Sequence, residues 1–307
     1  MLATFLRRLV SSLPVLVAVS LLIFAFVRVL PGDPAQLVAG PDASEAEIEE
    51  MRGWLGLDQP IWRQYVIFVE NAVTGNLGNS IRTGQPVADE IGKRLMPTVW
   101  LTLASMSWTL VIGLVLGAYA GMKRGRWQDK LSMVVAVTGV SFPNFWLGLL
   151  LINLFAVRLH LLPTSGFEDW RSLLMPSFTL GTGFAAILAR FTRSAYVEVA
   201  SLDYVRTARS KGLPEQRVVR RHILRNALIP VLTLTGLEFG NLLGGAIIVE
   251  TVFAWPGIGR LLVDAIAYRD YPVMQALILL FAVEFVLINL IVDILYGLVN
   301  PEVRLRG

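Results

Sequence analysis

Long apolar stretches constrain the fold of this chain more than any other feature. A helix needs about 20 apolar residues to cross the hydrocarbon core of a bilayer, where lipid offers the backbone no hydrogen-bond partners. We therefore predict an all-α integral membrane protein with six transmembrane helices and a helical insert after the first. The predicted spans are residues 9–30, 99–122, 131–157, about 174–189, about 229–249 and 273–299.

Composition excludes several other classes of protein. Of the 307 residues, 55% are hydrophobic and 16% are charged, whereas soluble domains carry about 25% charged residues. The chain has no cysteine and only two histidines, His160 and His222, so disulfides, thiolate metal sites and a histidine metal cage are not expected. The first stretch is too long for a removable signal peptide and lacks a small-residue cleavage site, so it is predicted to remain as an anchor.

The positions of the basic residues predict the orientation of the chain. The net charge is +4, but the basic residues lie in short segments between apolar stretches, which argues against nucleic-acid binding. Arg7 and Arg8 precede the first span, and residues 190–225 contain nine Lys or Arg. By the positive-inside rule, these segments and both termini face the cytoplasm.

The insert of residues 31–98 is then on the outer side of the membrane. Ser44 and Glu47 form a capping-box pattern that predicts one helix, and Pro60 suits the start of another. The sequence predicts a small helical cap over the outer mouth of the bundle. Such a cap could shield the ends of the spans or contact an external partner.

Glycines recur every four residues in two of the predicted spans. Such stripes let another helix approach closely, whether within one subunit, between subunits or along a pore. Pro143 interrupts the third span and predicts either a hinge or a fixed bend. The glycines are Gly113, Gly117 and Gly121 in the second span and Gly236, Gly240 and Gly244 in the fifth.

Four polar residues are predicted at membrane depth or near its boundaries. Charged groups are costly there and are presumed to be functional or paired. A proton-coupled secondary transporter would use such carboxylates, and hydrogen bonding between helices explains them equally well. The residues are Glu238, Glu284, Asn289 and Asp293.

The chain carries no recognisable catalytic signature. The phosphate-binding pattern GxxxxGK[ST] is missing, as are GxSxG and HExxH. We therefore expect no ATPase, no catalytic residue and no bound cofactor or metal in this chain. Transport and a non-transporting scaffold remain as classes of function.

Residues 198–230 are longer and more patterned than retention in the cytoplasm requires. Asp203 is predicted to cap a helix over residues 204–211, with Tyr204, Ala208 and Lys211 on one face, and Gly212 to end it. A second helix over residues 215–226 leads into the fifth span. This arrangement predicts a lever at the membrane surface, although a basic amphipathic segment could also lie on anionic lipid.

The same residues resemble the EAA loop of ATP-binding-cassette (ABC) importer permeases of the dipeptide, oligopeptide and nickel branch. The similarity is carried by TARSKG followed by RHILRNALIP. Arg206, Thr207 and Ala208 stand at the EAA positions, and Gly212 stands at the glycine of the motif. The sequence departs from the general motif at its first residue, where Arg206 replaces glutamate.

Further stretches along nearly the whole chain resemble the same family, and some resemble its glutathione-importing members in particular. The first group includes LPGDPAQLVAG, SFPNFWLG and ETVFAWPGIGRLL, and the second includes RLMPTVWLT and RWQDKLSM. The resemblance implies a type I importer-like permease of the bacterial inner membrane. It also implies a second homologous permease, two cytoplasmic ATPase subunits that bind ATP and Mg, and a periplasmic solute-binding protein.

The resemblance and the helix pattern together predict which residues couple the permease to the ATPases. Asp203 is expected to cap the helix, Tyr204 and Thr207 to make contacts, and Ala208 to pack closely. Gly212 is expected to form an elbow, and Leu213 to contact a socket.

The sequence also predicts the regions of the chain. They are residues 1–30 (cytoplasmic end and first span), 31–98 (periplasmic insert), 99–299 (permease core with its coupling loop, 190–228) and 300–307 (cytoplasmic tail).

Overall fold

The computed structural model describes residues 2–29, 34–39, 43–54 and 56–299, and within them the chain is helical. The predicted tail of residues 300–307 lies outside the described residues. The described α-helices are α1 (Leu2–Val29), α2 (Pro34–Ala39), α3 (Glu45–Trp54), α4 (Ile61–Thr74), α5 (Val87–Met122), α6 (Trp127–Ser141), α7 (Asn144–Leu151), α8 (Leu174–Ala200), α9 (Asp203–Ser210), α10 (Glu215–Arg217), α11 (Arg225–Val252), α12 (Ile258–Ala267) and α13 (Tyr271–Val299). Two π-helical turns, Ile152–Arg158 and Val218–Leu224, and a 3₁₀ turn, Trp170–Leu173, complete the helical segments.

The chain divides into two compact units. Among the described residues, one unit comprises residues 97–259 and 288–299, and the other comprises those of residues 2–96 that the structure describes together with residues 260–287. The packing described below lies within one unit or the other.

Three described helical segments are long and apolar enough to span a membrane. The bent pair Trp127–Ser141 and Asn144–Arg158 makes a fourth if it counts as one span. The three are Val87–Met122, Trp170–Ala200 and Tyr271–Val292, and Val10–Phe26 is a shorter apolar helix. The number of six spans stays a prediction. Two boundaries differ from the predicted ones, because α5 starts at Val87, within the predicted insert, and α8 continues to Ala200, within the predicted loop.

The first glycine stripe brings α5 against α8. A methyl group added to Gly113 would lie 2.8 Å from Cβ of Leu188, and one added to Gly121 would lie 2.8 Å from Cβ of Tyr196. These distances are too short for real carbon contacts, so only glycine permits this separation of the helices. The predicted close approach is confirmed as packing within one chain.

The second stripe is only partly used in this way. A methyl group at Gly236 would overlap the side chain of Val292 on α13, whereas one at Gly244 would meet no atom within 4 Å. Close approach in α11 is therefore confirmed at Gly236 and not at Gly244.

Pro143 marks a sharp break between α6 and the helical segment that follows. The segments Trp127–Ser141 and Asn144–Arg158 are bent by 99°, and Pro143 caps the start of α7. The predicted interruption is confirmed, and the large angle shows that the third apolar stretch is not one straight helix. The rings of Phe142 and Trp146 stack across the break at 4.8 Å.

A buried carboxylate secures the end of α11. Glu250 is fully buried and accepts a hydrogen bond of 2.6 Å from the hydroxyl of Thr98. The backbone N–H of Ile258 donates to the Thr98 oxygen at 2.9 Å. Gly257 and Gly259 lie so close to the carboxylate that neither has room for a side chain, so the turn after α11 is built around Glu250.

A bidentate ion pair joins the start of α6 to α8. Arg193 donates to the buried carboxylate of Asp129 through Nε at 2.5 Å and Nη2 at 2.8 Å. The backbone N–H of Gly125 donates to the same carboxylate at 2.9 Å. Sequence analysis missed this pair because its members are 64 residues apart.

The insert shows the predicted capping box. The backbone N–H of Ser44 donates to Glu47 Oε2 at 2.8 Å, and the N–H of Glu47 donates to Ser44 Oγ at 3.4 Å. Pro60 is the N-cap of α4, and Gly75 ends that helix in the left-handed conformation. The predicted helical insert is therefore confirmed where the structure describes it.

The predicted polar residues of the membrane core differ in exposure. Glu238 is buried, and Glu284 and Asn289 are half-buried. The side chain of Asp293 lies outside the described residues. A role for these groups in proton transfer stays a prediction.

Replacing Gly117 with alanine should destabilise the contact between α5 and α8. The added methyl group would lie 2.6 Å from Cβ of Thr192 and closer still to the carbonyl oxygen of Ala189. We expect a loss of about 1–3 kcal/mol of stability, as for overpacking elsewhere, measured by unfolding in detergent.

Gly92→Ala in the same helix is the control. No atom lies within 4 Å of a methyl group added there, so this substitution should be neutral or stabilise the protein by up to about 1 kcal/mol. Equal effects of the two substitutions would contradict the close approach.

Replacing Arg193 with lysine should weaken the pair with Asp129 although the charge is kept. Lysine cannot reproduce the two parallel hydrogen bonds of a guanidinium, so we expect a loss of about 1–2 kcal/mol in the same unfolding measurement. Arg206→Lys is the control, because the Arg206–Asp203 pair is long at 3.5 Å and mostly exposed, and it should change stability by less than about 0.5 kcal/mol. An unchanged stability of Arg193→Lys would show that the bidentate geometry contributes little.

Candidate functional site

The candidate site is α9 with the turn that follows it, residues 203–213. α9 begins at Asp203, and its N-cap is Leu202, which has extended backbone and makes no side-chain capping bond. The predicted capping role of Asp203 is therefore wrong. Its carboxylate is exposed and pairs with Arg206 at 3.5 Å. Because Asp203 lies in the first turn, its negative charge still interacts favourably with the helix dipole.

One side of α9 is buried against its own chain. Val205 is fully buried and Ala208 nearly so, in a cluster with Tyr196 from the end of α8 and with Val218 and Ile223 from the π-helical turn. The predicted packing role of Ala208 is consistent with this position. Sequence analysis missed Val205, although its spacing from Ala208 in an otherwise polar helix was the available signal.

The predicted common face of Tyr204, Ala208 and Lys211 is only partly formed. Tyr204 and Ala208 are four residues apart in α9 and lie near the same side of it, but Ala208 is buried and Tyr204 is exposed. Lys211 lies beyond the last helical residue, Ser210.

Tyr204 and Thr207, the two predicted contact residues, are exposed. The hydroxyl of Tyr204 accepts a hydrogen bond from Asn226 Nδ2 at 2.7 Å and donates to the carbonyl of His222 at 3.2 Å. The hydroxyl of Thr207 donates to the carbonyl of Asp203 at 2.9 Å. Tyr204 thus links α9 to the helical segment after the turn, and its side chain remains exposed to the surroundings.

Gly212 forms the predicted elbow. Its φ is 74°, in the left-handed region that favours glycine, and its N–H donates to the carbonyl of Arg209 at 2.9 Å. No atom within 4 Å would obstruct a side chain there, so the requirement for glycine is conformational. Leu213 is half-buried and packs on the Val205 cluster.

An ion pair crosses the elbow from α9 to α10. Arg209 donates to both carboxylate oxygens of Glu215, with Nη2–Oε1 at 2.8 Å and Nε–Oε2 at 3.1 Å. The hydrogen bonds from Arg209 lower the pKa of the Glu215 carboxyl, so the pair stays ionised at neutral pH. Both side chains are partly exposed, which limits the energy of the pair, but its two bonds fix the direction in which the chain leaves the elbow.

Beyond the elbow the chain is one uninterrupted helical run to Val252. α10, the π-helical turn and α11 follow one another without a break, and Pro230 lies inside α11. The predicted helix leading from the elbow into the fifth apolar stretch is confirmed. A continuous helical run therefore joins the elbow to the apolar stretch of α11.

The chemistry of the site is that of attachment. Its exposed atoms are a carboxylate, a phenol, a hydroxyl and guanidinium groups on a helix held by apolar packing. No group of three or more potential metal ligands occurs among the residues that the structure describes.

The chain matches two family models that together cover most of its length. Residues 113–305 match "Binding-protein-dependent transport system inner membrane component", and residues 1–102 match the N-terminal region of such membrane components. The 203–213 segment lies within the first match.

Curated relatives match the chain from end to end. It is 55% identical over 306 residues to the glutathione transport system permease protein GsiC of Escherichia coli O6:H1 and 54% identical to that of strain K12, each alignment covering 100% of both chains.

Solved structures of two ABC transporters share the fold. A chain of the inward-facing MetNI methionine ABC transporter superposes with a TM-score of 0.59 at 21% identity, over 68% of this chain and 96% of that one. An amino acid ABC transporter gives a TM-score of 0.54 at 16% identity, over 68% and 93%. At these identities the likeness concerns the fold alone. With the family match and the full-length relatives, it shows that this chain belongs to the binding-protein-dependent transport system inner membrane components and is a multi-pass pore subunit of an ABC importer.

Proposed function

We propose that this chain forms half of the pathway of an ATP-driven importer of small peptides, with glutathione as its substrate and dipeptides as the nearest alternative. The proposed coupling to an ATPase is supported mainly by the structure of α9. This helix has one buried side and one exposed side, and an elbow and a continuous helical run follow it. The substrate assignment is supported by full-length relatives named as glutathione permeases that are 54–55% identical.

The exposed side of α9 is the proposed docking surface for an ATPase subunit. Asp203, Tyr204 and Thr207 present polar atoms on it, and Arg206 adds a guanidinium that is 73% exposed. A socket on the ATPase would hold this side while Val205 and Ala208 hold the helix to its own chain. ATP and Mg would be bound by two such ATPase subunits, and this chain would contribute no catalytic group.

Transmission of motion follows from the helical run beyond Gly212. Closure of the ATPase pair on ATP would move α9, and the Tyr204–Asn226 and Arg209–Glu215 contacts would carry the movement across the elbow. Because α10 and α11 form one helical run, the displacement would continue into the bundle and change which side of the pathway is open. This is alternating access by rigid-body coupling.

The proposed topology places both termini and residues 190–228 in the cytoplasm. The basic residues of these segments support it, by the positive-inside rule. The insert of residues 31–98 would then be periplasmic and meet the solute-binding protein, and residues 99–299 would form the core that pairs with a second homologous permease.

Replacing Gly212 with valine should abolish uptake while the chain stays in the membrane. A β-branched residue at a φ of 74° costs about 1–3 kcal/mol, so the elbow would adopt another geometry. The exposed side of α9 would then change its orientation relative to the helical run that follows the elbow. Uptake, membrane abundance and copurification of the ATPase subunits would be measured on the same preparation.

Gly166→Val is the matched control for this substitution. Gly166 also has a left-handed φ, 81°, and also has no atom within 4 Å of its missing side chain, but it lies outside both residues 203–213 and the insert. We expect uptake to be retained in this variant. Normal uptake by Gly212→Val at normal abundance would refute the role of the elbow.

Transport by the assembled complex in membrane vesicles tests the energy source and the substrate together. Uptake of labelled glutathione should require ATP and persist when the proton gradient is dissipated. Excess unlabelled glutathione should remove nearly all of the signal, and nickel should leave it unchanged. Uptake that needs a proton gradient and no ATP would instead indicate a secondary transporter, and the absence of ATP-dependent uptake of labelled glutathione would overturn the substrate assignment.

A further inference from the structure

An apolar stripe on α4 has no cover within its own unit. Trp62, Val66, Val69 and Val73 are spaced four, three and four residues apart, so they lie along one face of the helix. Trp62 is 69% exposed, Val66 51% and Val73 82%. No residue of α4 is buried, so the helix lies on the surface of its unit and turns this stripe outward.

The neighbouring face of α4 packs on α1. The hydroxyls of Tyr65 and Ser20 are 2.8 Å apart in a hydrogen bond. The ring of Phe24 contacts the rings of Tyr65 and Phe68, with centroids 5.3 Å and 5.9 Å apart. These contacts fix both the rotation of α4 and its level along α1.

That level is inside the apolar part of α1. The apolar stretch is Val10–Phe26, and Phe24 and Ser20 precede its end by two and six residues, or about 3 and 9 Å of helix. α1 also exposes Leu22 at 69% and Phe26 at 53% near this end. The stripe on α4 therefore continues an exposed apolar surface that α1 presents near the end of its apolar stretch.

We propose that α4 lies in the membrane interface on the side where α1 ends, with its stripe in contact with phospholipid acyl chains. A tryptophan such as Trp62 suits the level of the headgroups. Arg63, Glu70 and Thr74 share another face of the helix and would lie toward water, as in surface-bound amphipathic helices. This property of the insert is independent of the proposed coupling to an ATPase.

Nitroxide labels can test the position of α4 directly because this chain contains no cysteine. Val66→Cys and Val73→Cys place a label on the stripe, and Arg63→Cys and Glu70→Cys are matched controls on the polar face. Each full-length variant would be studied in the assembled transporter in phosphatidylethanolamine and phosphatidylglycerol vesicles, with the unsubstituted chain as the background. Collisions with oxygen, which concentrates in lipid, are compared with collisions with a water-soluble nickel chelate.

We expect the ratio of oxygen to nickel collisions to be several-fold higher at positions 66 and 73 than at positions 63 and 70. A similar ratio at all four positions would place the stripe in water and overturn the proposal. Exclusion of both reagents at positions 66 and 73 would also overturn it, because that result means that a protein surface covers the stripe. The four positions are exposed, so a cysteine there leaves the packing on α1 intact.

Discussion

The packing of α6, α11 and α5 around α8 is the constraint on which the first unit depends, and α5 approaches α8 most closely at its glycines. Helices in lipid gain little from burying apolar surface, so their association relies on close van der Waals packing. Glycines at positions 113, 117 and 121 supply it, and α8 is the most buried of the three described candidate spans. The last partner in this stripe, Tyr196, also belongs to the cluster under α9. The close contact of α5 with α8 therefore ends at a residue that also supports α9.

Polar contacts at two places define which parts of this unit can move. Arg193 clamps α8 to the start of α6 one turn before Tyr196, so the platform beneath α9 is held by its own chain. Glu250 holds the far end of α11 to Thr98 and to the turn that follows it. Between these anchors lie the Gly212 elbow, the π-helical turn and Pro230, which removes a backbone hydrogen bond. A bending motion is therefore expected in this part of the chain and not in the platform.

Most features determined by local sequence were predicted correctly, apart from the cap at Asp203, whereas features determined by distant partners were not predicted. The capping box at Ser44, the glycine elbow at position 212 and the interruption at Pro143 follow from residues close in sequence. The partners Asp129 and Arg193 are 64 residues apart, and those of Tyr204 lie 18 and 22 residues further along the chain. Asp203 was wrongly predicted as a cap because its side chain is a good cap, whereas the backbone turns into the helix one residue earlier.

The departure from the general EAA motif at position 206 changes the charge that the exposed side of α9 presents. The general motif has glutamate there, and this chain presents a guanidinium that is 73% exposed. An acid is still present one turn earlier, at Asp203, but at 3.5 Å and with both groups in water the pair is weak. Both charges therefore remain available to a partner. If an ATPase subunit docks on this side as proposed, its socket would have to offer an acidic group to Arg206 and a hydrogen-bond donor to Asp203, a charge pattern opposite at position 206 to the one that suits glutamate.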